Sequence, residues 1–172
     1  RPPAARWAIW CWTPPAAAPT ARVRRAERGR GTNCTVAEFF DTNVLAYAFD
    51  ADEPVKQQRA QRLLADHPNA VISTQVLLEW YSVVTRKFSP PMPAETASGA
   101  LAALAELDVI GADAELVVRA AETSQRHQLS IWDAMIIESA VLAGCSTLYS
   151  EHLNDGATIR GVTVRNPFTE AL

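Results

Sequence analysis

Along most of this chain, short apolar runs alternate with longer stretches whose apolar residues recur at helical spacing. Glu38-Phe39-Phe40-Asp41 reads as a short strand, and Thr42 to Phe49 as a helical turn after it. Glu53 to His67 is amphipathic, polar at Lys56, Gln57, Arg59 and Arg62, with Leu63 and Leu64 on the buried side. Ala70-Val71-Ile72-Ser73 is a second strand. Thr74 is placed to cap a helix that runs to about Phe88 and stops ahead of Pro90-Pro91. Pro93 opens an alanine-rich helix to Leu107, Asp108-Val109-Ile110 is a strand, and Asp113 to Gln128 is helical again. Ile131 to Gly144 is nearly all apolar, the pattern of a helix enclosed on every side. Thr147-Leu148-Tyr149-Ser150 and Val162-Thr163-Val164 complete the strands. Short strands separated by helical crossovers predict an α/β sandwich, a short parallel sheet of about four to five strands wrapped by helices.

The pattern fails at the start of the chain. Residues 1–35 are rich in Arg, Pro, Ala and Trp, show no sustained period, and are expected to be a disordered basic leader. Val36 stands just ahead of the first strand, where a valine is what an internally translated GTG start codon would leave. We therefore expect the native protein to begin near there, with one domain over 36–172. The apolar stretch Trp7–Trp12 is too short for the core of a signal peptide. No apolar run approaches the roughly 20 residues that span a bilayer. Cys11, Cys34 and Cys145 form neither a disulfide framework nor a zinc pattern, which suggests reduced thiols and a cytoplasmic protein.

Charge sharpens the division. Of the 16 basic and 19 acidic residues, seven arginines and one glutamate, Glu27, fall in residues 1–35. The remainder keeps nine basic and eighteen acidic groups, so an acidic domain follows a basic segment. An acidic domain binds polyanions poorly by itself, and phosphate contacts from Lys56, Arg59, Arg62, Arg86 and Lys87 are expected to be modest.

In open α/β sheets, ligands sit beyond the carboxyl ends of the strands. Asp41 ends the first strand, Glu79 lies early in the helix after the second, and Asp133 occupies the first turn of the apolar helix. Glu151 and Asp155 follow the Thr147–Ser150 strand. Separate segments thus bring carboxylates towards one sheet edge. Such hard oxygen ligands suit Mg²⁺ or Mn²⁺, and an ion held there supports phosphodiester hydrolysis. Each acid also has a plainer reading. Asp41 can cap the next helix, Asp133 sits where a helix dipole favours an anion, Glu79 can pair with Arg86, and Asp155-Gly156 reads as a turn. Spacing alone leaves both readings open.

Four ordered motifs add to this: Phe40-Asp41-Thr42-Asn43-Val44-Leu45, Leu78-Glu79, Ile131-Trp132-Asp133-Ala134-Met135-Ile136 and Leu148-Tyr149-Ser150-Glu151-His152-Leu153. They closely resemble the motifs of the PIN-domain family, and Gly161 to Phe168 is similar to the family's last strand. In size the domain resembles the VapC toxins of toxin–antitoxin pairs. The resemblance implies an Mg²⁺- or Mn²⁺-dependent endoribonuclease, often homodimeric, inhibited by a small antitoxin protein whose arginine enters the acid cluster. Asp41, Glu79 and Asp133 match the family's acidic metal-site residues, and Asn43 and Ser150 the polar residues that support them. The family usually places Asp two residues after the motif's Ser or Thr, and here that position is His152. Asp155 or Glu151 can supply the missing carboxylate, with Asp155 expected beside Asp41 and Asp133 as a metal ligand. His152 would itself ligate Mn²⁺ better than Mg²⁺.

Two other classes compete. A nucleotide-binding Rossmann-like protein needs a glycine-rich phosphate loop, and none is present. A catalytically impaired PIN fold acting as a binding or regulatory module is kept open by His152. An antitoxin segment would find apolar contacts on helices carrying Leu63, Leu64, Trp80 and Tyr81, residues that core packing explains equally.

Overall fold

The computed structural model describes residues 37–169, so the basic segment and the expected start at Val36 lie outside the described residues. The elements run β1 (Glu38–Phe40), α1 (Thr42–Tyr47), α2 (Pro54–Asp66), β2 (Ala70–Ser73), α3 (Thr74–Arg86), α4 (Ala94–Leu104) and β3 (Asp108–Ile110). They continue as α5 (Ala114–His127), α6 (Ile131–Ala143), β4 (Thr147–Tyr149), β5 (Thr158–Ile159) and β6 (Val162–Arg165). The strands form one sheet in the order β3-β2-β1-β4-β6-β5, parallel except for the β5–β6 pair. This is the expected α/β sandwich with one strand more.

The sheet order places the site. From β1 the chain builds outward to β2 and β3 on one side, then returns so that β4 pairs with the other edge of β1. At such a switch point the connections leave in opposite directions and open a crevice at the carboxyl ends of the two strands. Register puts Phe40 opposite Tyr149, and the Asp41 amide donates to the Tyr149 carbonyl at 3.0 Å. Asp41 and Ser150 therefore sit side by side at the head of the crevice. Below them the sheet is apolar: Phe39, Phe40, Ile72, Leu148 and Val164 are fully buried. Each such side chain stabilises the fold by about 1.5–3 kcal/mol on transfer from water.

Several local expectations change. Ser73, not Thr74, caps α3, its hydroxyl accepting from the Val76 amide at 3.3 Å. Thr74 instead accepts from the Ala112 amide and ties α3 to the β3–α5 loop. Trp80 is fully buried, its ring edge-on to Phe49 at 5.3 Å, so it belongs to the core and offers no docking surface. Leu63, Leu64 and Tyr81 are partly buried against that core.

The unforeseen strand β5 is two residues long and returns through Arg160 and Gly161, both at positive φ (55° and 84°). A tight hairpin needs that conformation at both central residues, and arginine rarely adopts it. Its side chain explains the choice. Arg160 Nε donates to Glu138 Oε1 at 2.9 Å, and the Thr123 hydroxyl donates to the same oxygen at 2.6 Å. Glu138 is 2 % exposed, so Arg160 is the cation that makes its burial between α5, α6 and the hairpin tolerable. Arg160→Ala is expected to lower the unfolding free energy by about 3 kcal/mol, because it strands a buried carboxylate. Urea denaturation measures this, and a loss below about 1 kcal/mol would mean that Thr123 and water suffice.

Candidate active site

Asp41 lies at the N-cap of α1, extended at φ −78°, ψ 161°. Its Oδ1 accepts from the Thr42 amide at 2.7 Å. Its Oδ2 accepts from Asn43 Nδ2 and from the Ser150 hydroxyl, each at 2.7 Å. The capping reading therefore holds, yet it occupies one oxygen only. Asn43 also accepts from the Glu151 amide at 3.1 Å, and Ser150 from the His152 amide at 3.2 Å. The two polar residues thus lock the end of β4 to the start of α1.

Glu79 connects to this group through Thr42, whose hydroxyl donates to Glu79 Oε2 at 2.9 Å. Gln75 Nε2 donates to Glu79 Oε1 at 2.9 Å and to the Trp132 carbonyl at 3.3 Å. Glu79 is accordingly held by neutral donors on both oxygens, and these replace the expected pairing with Arg86. Asp133, half-buried in the first turn of α6, accepts from the Ser130 hydroxyl at 2.7 Å. The same Ser130 oxygen accepts from the Asp133 amide at 3.0 Å, so Ser130 and not Asp133 caps α6. A line of hydrogen bonds runs from Ser150 through Asp41, Thr42, Glu79 and Gln75 to the Trp132 carbonyl, and Asp133 is the next residue along α6.

The remaining residues are placed differently. Glu151 pairs with Lys56 of α2, which also donates to the Tyr47 hydroxyl and lies 4.3 Å from the Tyr47 ring centroid. Desolvation pushes the Glu151 carboxyl up, but hydrogen bonds from Lys56 and Tyr47 outweigh it and hold the group below its ordinary value. His152 presents an exposed ring beside the site, and its positive form would favour the Asp41 anion. Asp155 is exposed in the β4–β5 loop and accepts from the Asn166 amide at 2.9 Å, a staple between that loop and the end of β6. No hydrogen bond joins it to the Asp41 group among the described residues.

Electrostatically this is an incomplete arrangement. Burial raises the Asp41 pKa; the hydrogen bonds from Ser150 and Thr42 and the charge of His152 oppose the rise, and Glu79 adds to it. None of the ion pairs among the described residues involves Asp41, Glu79 or Asp133. Neutral donors orient these carboxylates without cancelling their charge, which is what a cation site requires. Among the described residues no three His, Cys, Asp or Glu side chains converge closely enough to cage an ion. Asp41 and Glu79, linked through Thr42, are the carboxylates the hydrogen bonds bring together.

Sequence reasoning missed Gln75 and Ser130, read Lys56 as an outward basic group where it pairs with Glu151, and read Thr42 only as part of a motif. It also missed that Leu78 and Trp132, neighbours in sequence of Glu79 and Asp133, are 74 % and 64 % exposed. An isolated polar residue in the first turn of a helix carries no signal that its side chain turns inward.

A mostly parallel sheet with Asp41 at its switch point and Glu79 linked to it through Thr42 defines an α/β fold with an acidic crevice. The PIN domain matches residues 39–152, so the chain belongs to the PIN-domain family. Among solved structures it is similar to Mycobacterium tuberculosis VapC20, a toxin that cleaves the sarcin–ricin loop. Identity there is 25%, with a TM-score of 0.55 over 64% of this chain and 86% of that one. It shares its fold with a toxin–antitoxin complex from Klebsiella pneumoniae (23% identity, TM-score 0.58, 76% and 98% covered). The same holds for VapBC2 of Rickettsia felis bound to promoter DNA (20%, 0.53, 76% and 98%). No curated protein matches the chain. No helix among the described residues is long and apolar enough to cross a membrane.

Proposed function

We propose that this protein is a Mg²⁺- or Mn²⁺-dependent endoribonuclease, the toxin of a toxin–antitoxin pair acting in the cytoplasm. The observation that carries the reading is the buried Asp41 carboxylate, held by three neutral donors and adjoining a second carboxylate, with no ion pair to it among the described residues. A divalent ion bound there would supply the Lewis acidity that activates water and offsets charge on a phosphodiester. Asp41 and Asp133 would hold it, and Glu79 would ligate it or orient one of its waters. Hydrolysis adds water across one P–O bond and leaves a phosphate monoester and a free hydroxyl. Asn43 and Ser150 keep the Asp41 carboxylate fixed while charge develops.

Asp155 remains the residue proposed to complete the cluster, by releasing the Asn166 amide when an ion binds. Glu151 is supporting, since its carboxylate is engaged by Lys56. His152, standing where the family's Asp is expected, favours Mn²⁺ over Mg²⁺. The antitoxin would set a basic side chain among the uncompensated carboxylates, a charge-assisted pairing. Exposed Leu78 and Trp132 would give it apolar contacts, and a homodimer would cover Val117 and Val118 on α5.

The test is incubation of the purified chain with labelled RNA in Mn²⁺, Mg²⁺ or EDTA. Cleavage is expected with metal, stronger in Mn²⁺, and absent in EDTA, while His152→Asp narrows the gap between the two metals. A folded protein inactive at every Mn²⁺ concentration would favour the binding-module reading, and metal-independent cleavage would reject the mechanism.

A further inference from the structure

Gln75 is 9 % exposed, yet it makes an incomplete set of hydrogen bonds. Its Nε2 serves two acceptors, Glu79 Oε1 at 2.9 Å and the Trp132 carbonyl at 3.3 Å. That fixes the orientation of the amide, because the flipped form would turn an oxygen towards both acceptors. Its Oε1 is enclosed and has no partner. A buried acceptor left unpaired costs about as much as a hydrogen bond contributes, so an apolar residue would serve packing better here.

The position explains its presence. Gln75 joins the Glu79 carboxylate to the carbonyl immediately before Asp133, and so links α3 to the first turn of α6. Thr42 holds the other oxygen of Glu79 from the Asp41 side. Building on the metal-dependent reading above, we propose that Gln75 is a positioning residue that fixes Glu79 relative to Asp133. An amide suits this role because it donates to the carboxylate and to the carbonyl at once without adding charge, as a lysine would.

The experiment is Mn²⁺ binding to the full chain, read from the electron paramagnetic resonance signal of free ion, with urea denaturation of the same samples. Gln75→Met is expected to weaken Mn²⁺ binding by about 10–100-fold, the usual cost of losing an outer-shell partner. Its urea midpoint moves little, since losing two donated hydrogen bonds is offset by removing an unpaired buried acceptor. A merely structural glutamine predicts the reverse, a lower midpoint with unchanged binding, and that result overturns the proposal. In a Glu79→Gln background, Gln75→Met is expected to weaken binding no further, because the two act as one unit. Should Gln75→Met fail to fold, Gln75→Asn, one methylene too short to reach both acceptors, carries the same expectation. Wild-type protein that binds no Mn²⁺ would reject the metal-site reading itself. Wild-type binding matched by the variant rejects the role of Gln75 alone.

Discussion

Asp41→Asn is expected to fold and to lose RNA cleavage by at least about 10²-fold, because several kcal/mol of charge stabilisation at the phosphate depends on the ion it would hold. The carboxylate is 8 % exposed and accepts three hydrogen bonds, so substitution perturbs a defined point and not a flexible surface. An asparagine keeps the acceptor for Thr42 but turns an amide nitrogen towards Asn43 and Ser150, a local mismatch of about 1–3 kcal/mol. Against that, it removes a desolvated charge beside Glu79. Circular dichroism and urea denaturation should show a folded protein, and single-turnover cleavage in Mn²⁺ should show the loss. Asp133→Asn is expected to behave similarly in cleavage. Activity within a few-fold of wild type for either variant would mean that the ion is held elsewhere.

The second large effect concerns stability and its dependence on pH. The folded Asp41 carboxyl titrates above its ordinary value of 3.8, chiefly through burial. In the metal-free protein the folded state therefore retains this proton longer than the unfolded chain does. Asp41 consequently favours the fold at low pH, and its contribution diminishes as pH rises from the unfolded value through the raised folded one. Above that window the bare anion is a burden that a divalent ion would relieve. Near neutral pH, Mn²⁺ at about 100 times its dissociation constant should stabilise the fold by about 2.7 kcal/mol, and raise the melting temperature by about 5 °C or more. Close to the ordinary carboxyl value, where protons compete for Asp41, the increment should vanish. It should vanish at all pH values in Asp41→Asn. Differential scanning calorimetry at both pH values decides, and an increment that persists in the variant would place the bound ion away from Asp41.

Much of this architecture is legible in sequence because the core dictates it. Strands β1 to β4 carry apolar residues that the sheet buries, and the long apolar run of α6 corresponds to a helix touching four strands. Strand β5 is different: two residues, one of them exposed, give no period to read. Its turn is specified by a contact with Glu138, 22 positions earlier in the chain. Trp80 and Trp132 show the limit of amphipathic reasoning, one fully buried and the other 64 % exposed in similar company. Around the site, the motifs named the carboxylates and, for Asp41, the donors Asn43 and Ser150, but not the partners of Glu79, Asp133 and Glu151. Lys56 reaches Glu151 across 95 positions and Gln75 reaches Trp132 across 57. Those pairings follow from how helices cross the sheet, which local pattern does not encode.

The bond between Ser150 and Asp41 closes a loop of 109 positions. Strand β1 is among the first elements to be synthesised, yet the residue it presents is fixed only after β4 has emerged. At about 5–20 residues per second, the ribosome needs roughly 5–20 s to cover that interval. During that time β1 has no neighbour on one side, and the acidic crevice has half of its wall. A chain that stalls or is cut short before β4 would carry Asp41, Glu79 and Asp133 without the strand that orients the first of them. Synthesis itself thus delays the proposed site, because Asp41 is held in place only once β4 has been made.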